Sequence, residues 1–306
     1  MIERPLVSVV IPTYGRPAFL DRCIESVLKQ TYQNIEILVV DDNDPDTEGR
    51  NATEAEMQKY RGNSRISYLK HERNKNGSAA RNTGWKQSKG KYITFLDDDD
   101  EINRTKIEKQ VYCLEKLDAS WGACYTGYLL IKEHGENQIS TEKRSGDCYV
   151  DALMRTFFMG SGSNLFLRKS VVDEIGGYDE SFIRNQDIEF LVRALENYKI
   201  AYIDEILLTI HQEGERKKRT FEEIEGYTKY YLRKFSERIN HLDVNDKKRV
   251  IAVISLERFR IALYKRKYMD GIRILKENHV SVLYLIKYIG YLIRRIITKK
   301  SYGFTG

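Results

Sequence analysis

The sequence predicts an α/β protein: a mostly parallel sheet flanked by helices, followed after about residue 212 by a separate helical region. Three observations predict it. Through the first hundred residues, short apolar runs alternate with amphipathic segments, the pattern of a sheet covered by helices on both faces. Several of those runs stop abruptly on polar residues, at Tyr14, at Asp41-Asp42 and at Asp97–Asp100, and sheets of this kind bind ligands beyond the carboxyl ends of their strands. Past Gln212 the strand-like runs cease and the charge reverses. Residues 212–306 carry 23 Lys+Arg against 11 Asp+Glu, leaving 28 against 34 in residues 1–211, within an overall net charge of +6.

Each element follows from local pattern. "LVSVVIPTY" is a buried strand, and "PAFLDRCIESVLKQ" a helix with Phe19, Leu20, Cys23, Ile24, Val27 and Leu28 on one face and Pro17 in its first turn. "IEILVVDD" is a second strand; a polar stretch from Asp44 to Gly62 separates it from the short strand "RISYLKH". "SAARNTGWKQSK" reads as a helix whose Ala79 and Ala80 permit close packing on the sheet, and "KYITFL" as the next strand. A helix over about Arg104–Leu117, an alternating strand through Ala123–Ile131 and a loop-to-strand segment "SGSNLFLRKS" follow. "SVVDEIGG" is a short helix capped by Ser170 and ended by Gly176-Gly177. "DIEFLVRALENY" is a further helix, and "IAYIDEILLTIH" supplies the last one or two strands. The basic region reads as amphipathic helices, with the boundary in "EGERKKR", giving a first domain over 1–212 and a second over 213–306.

The composition, 41% hydrophobic with 21 tyrosines, suits a globular chain with a large core. The four cysteines form no CxxC pair and no zinc spacing, which points to reduced thiols in a cytosol-facing protein. The start, "MIERPLVSVVIPTYGR", lacks the apolar core and cleavage site of a signal peptide.

Four adjacent carboxylates, Asp97–Asp100, followed by Glu101 at the end of an apolar strand demand a neutralising charge. Hard oxygen ligands suit Mg²⁺ or Mn²⁺, and Mg²⁺ commonly takes one or two carboxylates plus substrate phosphates. A surface charge run is more often a solvated face; its position at a strand end favours the metal reading.

The blocks "VSVVIPTYGR", "IEILVVDDND", "NKNGSAARNTGWKQSKGKYITFLDDDDE" and "GGYDESFIRNQDIEFLVRAL" together resemble the inverting nucleotide-sugar transferases of glycosyltransferase family 2, over roughly residues 5–211. The resemblance implies a GT-A (Rossmann-like) fold, a nucleotide-diphosphate-sugar donor and a metal held by a DxD-type motif. Carried over by position, Pro12, Thr13, Tyr14 and Arg16 line the nucleotide site, with Tyr14 on the base. Asp42 would accept a hydrogen bond from the imide N–H of uracil, which cytosine lacks. The DxD motif is Asp97-Asp98-Asp99, with Asp99 as the metal ligand and Asp97 or Asp98 toward the ribose or sugar; a one-residue shift would bring in Asp100. Arg81 would meet the donor phosphates or brace the aspartates, and His211 would reach the metal or the diphosphate.

In "RNQDIEF" the pair Gln186-Asp187 stands where the family often has Glu-Asp. Asp187 would be the base that takes the acceptor proton, with a helix cap as its structural alternative. The reading implies transfer from a UDP-sugar to a glycan or lipid-linked oligosaccharide in cell-surface polysaccharide assembly, with Mn²⁺ or Mg²⁺. Two other classes compete. A nucleotidyltransferase needs a glycine-rich basic loop after the first strand, and "PTYGRPAF" offers one Gly and one Arg. A non-catalytic membrane-surface binder would use only the tail. There "SVLYLIKYIGYLIRRIITKK" is apolar but interrupted by Lys287, Arg294 and Arg295, which suits a helix lying on an anionic membrane surface better than one spanning it. Nucleic acid is not expected, because the basic tail is helical, with its charges beside apolar runs. The expected location is therefore cytoplasmic, peripheral on the inner face of the cell membrane.

Overall fold

The computed structural model describes residues 4–213, 218–298 and 303–304. Residues 214–217, in the expected boundary stretch, lie outside the described residues, as do Lys299 and Lys300 at the end of the basic tail. The chain divides into two compact units. One comprises Met1–Asp147 with Met159–Glu213, the other Cys148–Phe158 with Gly214–Gly306. The sequence carries no signal that the short segment 148–158 belongs with the second unit.

In the first unit the chain runs β1 (Val7–Thr13), α1 (Pro17–Leu28), β2 (Ile35–Asp41), α2 (Glu48–Met57), β3 (Ile66–Lys70), α3 (Gly77–Gln87), β4 (Tyr92–Phe95), β5 (Glu101–Ile102), α4 (Lys106–Glu115), β6 (Trp121–Lys132) and β7 (Gln138–Ile139). After the segment of the second unit, which carries α5 (Tyr149–Leu153), come β8 (Phe166–Arg168), α6 (Lys169–Ile175), α7 (Gln186–Leu195) and β9 (Lys199–Gln212). The strands form one sheet in the order β3-β2-β1-β4-β8-β6-β9-β5, with β7 on β6. It is parallel from β3 to β4. Beyond β4 it is mixed, since β8 runs antiparallel to both β4 and β6 while β9 is parallel to β6.

β1 and β4 are buried along their whole length, which is why they appear in the sequence as continuous apolar runs rather than alternations. Leu20, Cys23, Ile24 and Val27 of α1 pack with Val7, Val9 and Ile11 of β1 and Ile107, Val111 and Leu114 of α4 in one core. Removing a Leu20-sized side chain from such a core costs about 2–5 kcal/mol.

One element is added and one expectation changes. The polar stretch 44–62 contains α2, whose buried residues are Arg50, Thr53 and Met57. A buried face that is two-thirds polar leaves no hydrophobic periodicity to detect. Ser170 is not a cap: α6 begins at Lys169 after an extended Arg168 with no side-chain cap, while Gly176 ends it in the left-handed conformation, at φ +75°.

The second unit adds α8 (Phe221–Lys234), α9 (Ser236–His241), α10 (Val244–Tyr264), α11 (Tyr268–Glu277) and α12 (Val282–Thr298). Thr220 and Glu223 form a reciprocal capping box at the start of α8, and Asp243 caps α10 by accepting from Asn245 N and Asp246 N. Tyr231 is fully buried and donates to the Leu153 carbonyl at 2.9 Å, tying α8 to the end of α5. Among the described residues no helix is long and apolar enough to cross a membrane.

Candidate active site

The site grows from the carboxyl ends of β1, β2 and β4, adjacent because those strands are neighbours in the sheet. After Phe95 the chain turns sharply, with the Asp100 N–H donating to the Asp97 carbonyl at 3.0 Å. The turn splits the four aspartates by direction. Asp98 and Asp100 are buried, whereas Asp97 and Asp99 keep partly exposed side chains.

Their charge is met by arginines. Arg16, just ahead of α1, reaches Asp98 Oδ1 with Nη2 at 2.5 Å and Asp99 Oδ2 with Nη1. Arg81 of α3 reaches Asp97 Oδ1 at 2.5 Å, and Arg22 of α1 donates to the Asp99 carbonyl at 2.9 Å. Hydroxyls complete the shell: Thr13 donates to Asp98 Oδ2 at 2.7 Å and Ser161 to Asp100 Oδ2 at 3.0 Å, while the Asp97 N–H donates to Ser163 Oγ. The compensation is incomplete. Burial pushes Asp98 up to about 7 although Arg16 and Thr13 pull it down, and it lifts Asp100 well above the usual carboxylate range, with Asp97 adding repulsion. Asp98 Oδ1 makes no aligned hydrogen bond despite its contact with Arg16. The partly exposed carboxylate oxygens of Asp97 and Asp99 are hard ligands of the kind that suit a divalent cation. Among the described residues no group of three or more His, Cys, Asp or Glu is arranged to hold a metal ion, so a cation here would need ligands from a bound diphosphate or water.

Arg81 joins two distant blocks. Its Nη1 lies 3.5 Å from Gln186 Oε1 at the start of α7, while its Nη2 holds Asp97. α3 is positioned for this by Asn82, which receives the Tyr178 N–H at 2.8 Å and donates to the Tyr178 carbonyl at 2.9 Å. Gly177, at φ +77°, lets the turn pass Asn82 and Trp85, where a Cβ would meet side-chain atoms within 2.7 Å. Tyr178 then stacks on Phe190 of α7, at 4.1 Å between centroids, and lies under the Arg81 guanidinium.

Asp187 is the second residue of α7, after Asn185 in the left-handed conformation. It does not occupy the cap position. Its side chain reaches solvent, and a Cβ on the neighbouring Gly162 would sit 3.5 Å from its own Cβ. Displacement of its hydration by surrounding protein, and repulsion from Asp97, raise its pKa above the ordinary carboxylate range against the pull of Arg81.

The remaining expected residues occupy mixed positions. Tyr14 is 55% exposed beyond the end of β1, free to pack on a planar group. Thr13 is buried, and Pro12 pairs with Val40 inside the sheet. Asp42 is fully engaged: Oδ1 meets His71 Nδ1 at 2.7 Å and Lys75 N at 2.8 Å, and Oδ2 accepts from Asn74 Nδ2 and Asn76 N. A carboxylate has about four acceptor positions, so contact with a base would exchange one of these bonds. His211 on β9 meets Glu101 Oε2 at 2.6 Å and Glu213 Oε1 at 3.5 Å, so both ring nitrogens face carboxylates. Ser161 and Ser163 come from the loop Gly160–Phe166, which the family resemblance places near the sugar and acceptor; Arg22 and Glu213 carry no signal in the sequence that separates them from ordinary surface residues.

The family model "Glycosyl transferase family 2" matches residues 8–176, more than half of the chain. The chain belongs to that family. An uncharacterized glycosyltransferase of Rickettsia prowazekii is 33% identical over 211 residues, which cover 68% of this chain and 64% of that protein. Matches to two further Rickettsia glycosyltransferases cover 36% and 34% of those proteins, so this glycosyltransferase-family chain spans from a third to under two thirds of these relatives. The crystal structure of S. aureus TarS 1–349 in complex with UDP-GlcNAc matches with a TM-score of 0.69 at 18% identity, over 89% of this chain and 80% of that one. The mannosyltransferase PcManGT from Pyrobaculum calidifontis, in complex with GDP-Man and Mn²⁺, matches with a TM-score of 0.59 at 14% identity, over 96% of this chain and 81% of that one. The fold of the first unit is GT-A, with the helices of the second unit following it.

Proposed function

We propose that the chain transfers a hexosyl or N-acetylhexosaminyl group, with inversion, from a UDP-sugar to a hydroxyl of a glycan or lipid-linked acceptor in cell-surface polysaccharide assembly. One observation carries the reading: Arg81 spans from Asp97, on the aspartate turn, to Gln186, beside Asp187. A donor diphosphate near the turn and an acceptor near Asp187 would therefore flank one guanidinium. Support for the donor class comes from the UDP-GlcNAc and GDP-Man complexes of the two similar folds.

In this reading Tyr14 packs on the base, Thr13 and Arg16 border the nucleotide, and Asp42 exchanges one loop bond for the uracil imide. Asp97 or Asp98 would face the ribose or sugar, and Asp99 would hold Mn²⁺ or Mg²⁺. When bound, the cation supplies positive charge for the departing diphosphate. Arg81 and Arg16, which pair with the aspartates here, would contribute further positive charge to the same end. His211 would orient Glu101 or, after exchange, approach the cation. Asp187 accepts the acceptor's hydroxyl proton as that oxygen bonds to the anomeric carbon. The bond from that carbon to the diphosphate breaks, and UDP leaves with the electron pair.

The setting follows from α12. Val282, Leu283, Ile286, Ile289, Ile293 and Ile296 are exposed along one side of it, as in helices that lie in a membrane interface. A peripheral position on the cytoplasmic face would bring the site to lipid-linked acceptors. Calorimetry tests the core of the reading: UDP should bind in the presence of Mn²⁺ and lose that binding in Asp99→Ala. Equal affinity without metal would refute the proposed role of the aspartate turn.

A further inference from the structure

The second unit contains a cavity of ≈ 40 Å³ that opens to solvent, lined among others by Arg155, Glu257, Arg260, Tyr288, Tyr291 and Arg295. Three guanidiniums from separate stretches of chain thus converge, against the single Glu257 carboxylate in the lining. Like charges gathered this way repel, and nothing in the first unit's chemistry uses them.

Arg155 is the most unusual of the three. Its side chain is 10% exposed, and its Nη1 lies 3.3 Å from Thr228 Oγ1 and 3.9 Å from Glu257 Oε2. Its guanidinium lies over the Tyr231 ring. Its buried Nε has no hydrogen-bond partner among the described residues, and its backbone stands at φ +61°, a conformation that suits glycine. A buried unpaired donor needs an explanation, and backbone strain clusters at ligand sites. Here the two coincide in one residue. Of the other two guanidiniums, Arg295 Nη1 donates to Tyr291 Oη at 3.2 Å, and Arg260 lines the cavity with Tyr288. Each guanidinium carries five donors, so these contacts leave donors for a ligand.

We propose that this cavity binds a phosphate-bearing anion. Converging arginine forks match phosphate oxygens better than a point charge does. The volume holds roughly three water-sized groups, on the scale of a phosphoryl head, with the opening leaving the rest of a ligand toward solvent. The same chemistry could come from a lipid headgroup, which the exposed apolar side of α12 would favour, or from a soluble phosphate ester. The inference rests on the helical unit alone and stands whether or not the transfer reading holds.

The test titrates the full chain with inorganic phosphate, with metal chelated, following ³¹P line broadening and thermal stability. Arg260→Gln/Arg295→Gln is compared with wild type, so that any anion binding in the first unit is common to both. Saturable binding to wild type is expected, weakened about ten-fold or more in the double variant, as loss of charge-assisted hydrogen bonds implies. Equal affinity would overturn the proposal. Arg295→Lys, which keeps the charge and removes the fork, gives the same reading if the double variant fails to fold: undiminished affinity there also overturns it. Flotation with phosphatidylcholine vesicles containing phosphatidic acid separates the sources. Vesicle binding that weakens in the variant and is competed by inorganic phosphate assigns a lipid headgroup. Unchanged vesicle binding alongside lost phosphate affinity assigns a soluble ester.

Discussion

Asp187 combines access to solvent with an environment that strengthens its hold on a proton. Its raised pKa comes from crowding and from Asp97, so it is a better base than a free aspartate once ionised, and it ionises at higher pH. The acid limb of kcat/KM should therefore lie above the ordinary aspartate value of about 3.9, and a pH profile on any accepted donor checks it. Asp187→Asn should lower kcat by about 10²–10⁴-fold while donor affinity stays the same; a parallel loss of affinity would instead make it a binding residue. Asp98 yields a separate prediction. With its pKa near 7, its contribution to stability is present below the unfolded value of about 3.9 and is lost as pH rises through about 7. A cation placed beside it favours the ionised form, so Mn²⁺ uptake near neutral pH should release protons, and the release should fade above pH ~8. Calorimetry in buffers of different ionisation enthalpy measures it.

Elements carry these residues to one place, and α3 is the most constrained of them. A Cβ on Gly84 would come within 2.3 Å of Val10 Cγ1 on β1, and Ala79 and Ala80 are buried nearby on the same helix. Gly84→Ala should push α3 off the sheet, costing about 1–3 kcal/mol by overpacking, and should shift Arg81 three residues away. Urea denaturation reads the first effect and UDP affinity the second. Much of this was legible in the sequence. β1, β2 and β4 appear as apolar runs because they are buried, and their polar ends mark the site because a parallel sheet aligns its carboxyl edges. What stayed hidden is polar and long-range. α2 escaped because it buries Arg50, which lies 3.1 Å from Asp41, rather than an apolar stripe. The engagement of Asp42 with His71 and the 74–76 loop, and of His211 with Glu101, depends on pairings some 29 to 110 residues apart. The division of the four aspartates into two buried and two accessible follows from a turn that composition does not encode.

For the whole molecule, charge separates two tasks: an acidic first part holds the aspartate turn, and a basic second part carries α12. Full-length protein with Ile286→Glu and Ile293→Glu should lose flotation with anionic vesicles and keep its UDP affinity; unchanged flotation would remove α12 as the membrane contact. The binding of wild type should also weaken with added salt, since basic groups near the surface are screened within about 10 Å at 0.1 M. The central claim concerns the other end of the chain, where carboxylates at the rim of the sheet and a donor diphosphate share a divalent cation. Crystals soaked with Mn²⁺ and UDP, measured at the manganese absorption edge, test it most directly. An anomalous peak within coordination distance of the Asp99 carboxylate, next to the diphosphate, is the predicted result; well-ordered UDP with no manganese at that rim would contradict it.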